Sequence, residues 1–144
     1  MYAMSALDDV EEIRQLLAKY CHLGDSLDSS ALAECFTEDA VVDHNGARTV
    51  GRDAIREAVE AYRPVYSATP LRHVTTNILI ETNGDKAQSS SYFMLLVTGA
   101  EPRVLRIGIY HDRLRRVEGR WLFSERVATS DGGPATTPSE PKKR

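Results

Sequence analysis

The chain has 144 residues, with 18 basic against 21 acidic side chains and a formal net charge of −3. A domain of this length buries about 70% of its extended-chain surface, enough for one core without disulfides or metal. The basic residues are spread along the chain and leave no electrostatic footprint for nucleic acid or an anionic membrane, so neither is expected as a partner. Cys21 and Cys35 show no C-x-x-C and no Cys/His spacing suited to zinc, and read as buried free thiols. The stretch "MYAMSALDDVEEIRQLL" lacks a basic-then-apolar leader pattern, and no run of about 18 apolar residues occurs. A cytoplasmic protein is the expectation.

Taken in chain order, Val10, Ile13, Leu16, Leu17, Tyr20 and Cys21 recur every three or four residues and predict an amphipathic helix over Leu7 to Leu23, ended by Gly24, with Asp9 pointing away from the apolar face. Asp28 is placed to cap a short helix from Ser29 to about Cys35. "AVVDHNGARTV" predicts a small hairpin turning at Asn45-Gly46. A third helix is expected from about Asp53 to Tyr62, stopped by Pro64.

After Pro70 the segments "LRHVTTNILIET", "KAQSSSYFMLLVTG", "RVLRIGIYHDRLRRV" and "RWLFSERVATS" are rich in β-branched and aromatic residues and are separated by short turn signals, as in an antiparallel meander. Helices first and strands second predict an α+β domain over residues 1–130, its helices packed on one face of a curved sheet with an apolar pocket between the layers. Residues 131–144, rich in Pro, Ser, Thr and Lys, are expected to be disordered. Strand alternation puts His73, Thr75 and Asn77 on one face and Val74, Thr76, Ile78 and Ile80 on the other. If the helices cover only the concave face, the second apolar face needs a cover, so a homo-oligomer is expected, a two-fold dimer by preference and a trimer as the alternative.

Asp25 is the puzzle of the N-terminal half. Unlike Asp28 it has no cap to make, and it reads either as a solvated helix-end residue or as chemistry. His73 is open in the same way, as a hydrogen-bonded strand histidine or a proton acceptor. Tyr20 lies on the apolar stripe, a core tyrosine or a hydrogen-bond donor. Trp121 and Phe123 share a face and read as core, while Arg126, on the alternate face, is a substrate anchor or half of a structural ion pair. His22 and His44 are expected to be solvated, and His111 points opposite to Tyr110. No P-loop, G-x-G-x-x-G or metal constellation occurs, so no cofactor and no metal are expected.

The order of motifs resembles the nuclear transport factor 2-like superfamily, and within it the SnoaL-like group that includes scytalone dehydratase and bile acid dehydratases. The residues that carry the resemblance are Tyr20, Asp25, Asp28, Leu32, Phe36, Asp39 and Ala40, then Arg72, His73 and Asn77, then Gly108, Tyr110, Asp112, Gly119, Trp121 and Arg126. What it implies is a cone-shaped α+β barrel open at one end. In the dehydratases the aspartate five residues after the helix-end tyrosine pairs with the histidine that opens the first long strand, which here are Asp25 and His73. A carboxylate bonded to one imidazole nitrogen fixes the tautomer and frees the other nitrogen to accept a proton. The resemblance therefore implies Asp25, His73 and Tyr20 as catalytic residues, with Asn77, Tyr110 and Arg126 as substrate contacts. The expected activity is a cofactor-independent lyase or isomerase taking a proton next to a carbonyl of a polycyclic or aromatic-like hydrophobic molecule. A polyketide cyclase-like enzyme and a non-catalytic binding or assembly module of the same fold are the alternatives. Epoxide hydrolysis fits less well, because Asp112 and Arg126 lack a second strand carboxylate on their side.

Overall fold

The computed structural model describes residues 5–132, and the expected disordered tail therefore falls, from residue 133 on, outside the described residues. The elements run α1 (Ala6–Asp25), α2 (Ser29–Ala33), β1 (Phe36–His44), β2 (Ala47–Val50), α3 (Arg52–Tyr66), β3 (Leu71–Asn83), β4 (Lys86–Val97), β5 (Arg103–Val117) and β6 (Arg120–Ser130). The strands form one six-stranded sheet in the order β2-β1-β6-β5-β4-β3. All neighbours are antiparallel except β1 and β6, which run parallel. The fold is α+β, with the helices laid across the concave face of a curled sheet.

The helix ends differ from those expected. Gly24 does not stop α1. The helix runs one residue further, to Asp25, and closes with Leu27 N–H donating to Gly24 O at 3.2 Å and Asp28 N–H to Leu23 O at 3.0 Å. This Schellman arrangement puts Leu27, rather than a glycine, in the left-handed region at φ 55°, a strain of about 1–2 kcal/mol. Its consequence is that Asp25 belongs to the last helical turn. Asp28 does cap α2, accepting from Ala31 N–H at 3.1 Å. Pro64 lies inside α3, which continues to Tyr66. A proline inside a helix forfeits the bond to the carbonyl four residues back and crowds that carbonyl with its ring. The last turn is held by Ser67 N–H on Arg63 O at 3.0 Å and by Tyr62 packing on Tyr66, ring centroids 5.7 Å apart. The Asn45-Gly46 hairpin forms as expected, with both residues at positive φ.

α1 lays Ile13, Leu16, Leu17, Tyr20 and Cys21 into a core shared with Phe36, Ile55, Leu114, Trp121 and Phe123. Cys21 and Cys35 are buried free thiols. Asp9, expected on the polar side, is buried as well, because its carboxylate accepts from Trp121 Nε1 at 3.1 Å and from Arg116 Nη2 at 2.7 Å. α3 is tied across the concave face by Arg52, whose Nε and Nη2 donate to Phe36 O at 3.0 and 2.6 Å, and by Arg63 Nη2 on Leu27 O at 2.7 Å.

Two bulges reverse predicted faces. In β3 the register shifts between Thr76 and Leu79, with Asn77 at φ 54°. One extra residue flips the alternation beyond it, so Ile78 and Ile80 turn inward against the core and Leu79 outward, where it is 72% exposed. In β6, Arg113 pairs with Glu125 but Leu114 pairs with Phe123, so Ser124 is the extra residue. Phe123 and Arg126 consequently lie on the same side, not on alternate ones, and both are fully buried.

Gly108 is required by a close approach. A Cβ there would sit 2.2 Å from Thr129 O and 2.7 Å from the Phe93 ring. Gly108→Ala is expected to cost about 1–3 kcal/mol by overpacking, read as a lower urea midpoint with an unchanged slope.

Candidate active site

Between α1, α3 and the concave sheet lies a cavity of about 300 Å³. Its wall is mostly apolar, with Leu32, Phe36, Val42, Ile55, Val59, Leu71, Phe93 and Leu95, and its polar groups include Tyr20, Asp25, His44, His73, Arg106 and Tyr110. A mostly apolar wall with a few placed polar groups is the composition that small-molecule sites share.

Asp25 and His73 meet in that wall. Asp25 Oδ1 lies 2.6 Å from His73 Nδ1 and accepts from His73 N–H at 2.8 Å, with both side chains about four-fifths buried, at 21% and 22% exposure. A carboxylate that accepts the backbone N–H presents the same oxygen to the ring, so in the neutral imidazole the proton sits on Nδ1 and the lone pair on Nε2. Its location is electrostatically unhelpful to the fold, because a negative charge in the last turn of a helix faces the negative end of the macrodipole. The imidazole supplies the compensating donor. Gly24 sits beside the same ring, where a Cβ, if present, would lie 3.5 Å from His73 Cε1.

Tyr20 lies against His73 edge-on at 6.5 Å between ring centroids, and against Tyr110, Phe36 and Phe123 at 5.9–6.3 Å. Burial pushes its phenol above the usual value, opposed in part by the Arg126 charge, so the hydroxyl stays protonated and remains a donor. Tyr110, which also lines the cavity, is pushed well up by burial and by Tyr20 beside it, and its ring stacks on Phe93 at 4.4 Å.

Two expected substrate contacts are not in the wall. Asn77 sits on the bulge, exposed, with its Oδ1 accepting from Thr76 Oγ1 at 2.7 Å, so the shared face with His73 does not extend to it. Arg126 is fully buried below the cavity. Its Nε and Nη2 donate to the two oxygens of Asp112, each at 2.8 Å, and its guanidinium lies 3.9 Å from the Tyr110 ring centre, 4.2 Å from Tyr20 and 4.4 Å from Phe123. Of its two sequence readings the structure supports the ion pair. His44, expected to be solvated, stands at the cavity rim, exposed on one side but facing the wall on the other. Partial withdrawal from water, then the Arg106 and Arg126 charges, hold its pKa below the ordinary value.

Sequence reasoning passed over Arg106 and the tyrosines of α3, Tyr62 and Tyr66, which close the cavity on the helix side. The signal for Arg106 was present: Arg106, Gly108, Tyr110 and Asp112 alternate along one face of β5, and a cation on an inward face asks for a reason. Tyr66 was hidden by the expectation that Pro64 stops the helix. Among the described residues no group of His, Cys, Asp and Glu is arranged to hold a metal, and no helix is long and apolar enough to cross a membrane.

A SnoaL-like domain model matches residues 5–127, and the chain belongs to that family, within the nuclear transport factor 2-like superfamily. Among solved structures, Rv3472 of Mycobacterium tuberculosis, a protein of unknown function, is 33% identical over 90% of this chain and 78% of its own, with a TM-score of 0.81. A nuclear transport factor 2-like protein with a cystatin-like fold from Novosphingobium aromaticivorans is 27% identical over 90% of this chain and 86% of its own, TM-score 0.82. A Catenulispora acidiphila protein in complex with S-DNPA is 26% identical over 85% of this chain and 93% of its own, TM-score 0.78. The search of curated proteins returns no match.

Removing Asp112 leaves the Arg126 charge buried and uncompensated. Asp112→Ala is expected to destabilise by about 3–5 kcal/mol, and the Asp112→Ala/Arg126→Met pair by much less, a contrast read by denaturant titration.

Proposed function

We propose that the protein is a cofactor-independent lyase or isomerase in which His73 removes a proton from carbon next to a carbonyl of a hydrophobic cyclic molecule. The observation that carries this reading is the 2.6 Å contact between Asp25 Oδ1 and His73 Nδ1 in the wall of a mostly apolar cavity. A relative of this fold solved in complex with S-DNPA supports small-molecule binding by the fold. At about 300 Å³ the cavity is about twice the ~150 Å³ void that admits benzene, so two fused rings suit it.

His73 Nε2 takes the α-proton, and the imidazolium that results is stabilised by the Asp25 carboxylate. The electron pair moves into the carbonyl, where the protonated Tyr20 phenol donates to the developing enolate oxygen. From the enolate, expulsion of a β-hydroxyl with the imidazolium proton releases water and leaves the conjugated ketone, a dehydration. Return of that proton to a different carbon is an isomerisation, and attack of the enolate on a second carbonyl in the same molecule is a cyclisation.

The test uses α-tetralone and its β-hydroxy derivative in D2O, followed by NMR. The wild-type protein is expected to accelerate α-deuterium incorporation or loss of water, and His73→Ala and Asp25→Asn to lower the rate about 10²-fold or more each. Tyr20→Phe is expected to lose about 10²-fold. A folded His73→Ala variant as fast as wild type rejects the dyad; tight ligand binding with no exchange and no elimination makes the cavity a binding module.

We propose further that the protein is a homo-oligomer. On the convex face, Thr76, Tyr92 and Ile109 stand in one row, Val74, Met94 and Ile107 in the next, and Arg72, Leu96 and Val104 in a third. Tyr92, Ile107 and Val104 are 53%, 45% and 54% exposed, with Leu79 beside them. A second copy is the proposed cover, as a two-fold dimer. Light scattering on size-exclusion peaks is expected to give twice the 16.0 kDa chain mass, and Ile107→Asp to return the monomer; a 16.0 kDa wild-type particle at micromolar concentration rejects the dimer.

A further inference from the structure

We propose that Arg106 is the anion-binding group of the cavity, and that the substrate is an aromatic acid whose carboxylate sits on its guanidinium. Four arginines in the described residues carry a buried nitrogen without a hydrogen-bond partner: Arg106, Arg115, Arg116 and Arg126. Three of them are paired with a carboxylate through another nitrogen, Arg115 with Asp39, Arg116 with Asp9 and Arg126 with Asp112. Arg106 alone of the four has no side-chain hydrogen bond and no ion pair among the described residues, and it alone lines the cavity. The one carboxylate in the cavity wall is Asp25, whose Oδ1 is already held by the backbone N–H and ring of His73. A guanidinium half withdrawn from water with an orphaned N–H is unfavourable unless an acceptor arrives. A carboxylate is the partner that matches its planar fork, bonding two nitrogens at once.

The sheet fixes where that carboxylate stands relative to the dyad. His73 and Arg106 both pair with Leu95, from either side, so the three lie in one row across β3, β4 and β5. With strands about 4.8 Å apart, the His73 and Arg106 backbones are about 9.5 Å apart, a span that a bicyclic acid bridges with its carboxylate at one end and its reacting carbon at the other. Phe93, one row deeper, and Leu95 between them supply the apolar floor. The placement of the reacting carbon rests on the proton-abstraction reading above; the carboxylate contact does not.

Binding alone tests it. Calorimetry at neutral pH compares three acids of increasing size, benzoate, naphthoate and anthracene carboxylate, each with its neutral amide of the same shape. At least one acid is expected to bind the wild-type protein about tenfold or more tighter than its amide, the strength of a charge-assisted hydrogen bond. Arg106→Gln is expected to bring that acid to the level of the amide without weakening the amide, Arg106→Lys to keep part of the preference, and Asp25→Asn/His73→Ala, which removes the imidazole without leaving an unpaired carboxylate, to keep all of it. The assignment is overturned if every acid binds no better than its amide, including by not binding at all. It is equally overturned if the preference survives in Arg106→Gln, or if it vanishes in the Asp25→Asn/His73→Ala double variant, which puts the anion on the imidazole. A catalytic failure of His73 leaves these outcomes unchanged, so the two readings fail separately.

Discussion

The buried Arg126 guanidinium is the constraint around which the rest is arranged. A cation with no exposed surface persists only if its charge is met, and Asp112 does this from the position directly opposite on β5, accepting from Nε and Nη2 while Nη1 has no hydrogen-bond partner among the described residues. The faces of Tyr20, Tyr110 and Phe123 box in the remaining surface, so one ion pair sets the rotamers of an α1 residue, a β5 residue and a β6 residue together. Two of those rings are also cavity wall. The floor of the site is therefore rigid because the charge beneath it allows few alternatives.

Above that floor, features unhelpful to stability collect at one end of α1. Leu27 is held at positive φ and Asp25 lies at the negative end of the helix dipole, while both line the cavity. Two locally unfavourable features thus meet in the wall of one void. The α3 helix faces them from the other side, pinned to the α1–α2 turn by Arg63 on Leu27 O and by Glu60, which bonds Arg63 and Ser29 and whose carboxyl is held down to about 2 by those bonds.

Irregularities in the sheet are as consequential as its regular pairing. The bulge at Asn77 decides that Ile78 and Ile80 serve the core and Leu79 the outer face. The extra residue at Ser124 brings Arg126 inside with Phe123. Each also bends its strand, and a sheet so bent wraps the helices closely enough to enclose a cavity.

The sequence by itself determined the order of helices and strands, the Asn45-Gly46 turn, the Asp28 cap and the apolar face of α1, because each is set by local chemistry or by a period repeated over several turns. It also brought out Asp25 and His73, through a spacing shared with a family. It misplaced Asn77, Ile78, Ile80 and Arg126, since a single inserted residue reverses every side chain beyond it and nothing local to the strand announces the insertion. It missed the reach of α3 past Pro64, which depends on contacts at the end of the helix. The role open to Arg106 was decided only by tertiary structure, because whether a cation has a partner is a property of which carboxylates surround it, and those come from distant parts of the chain.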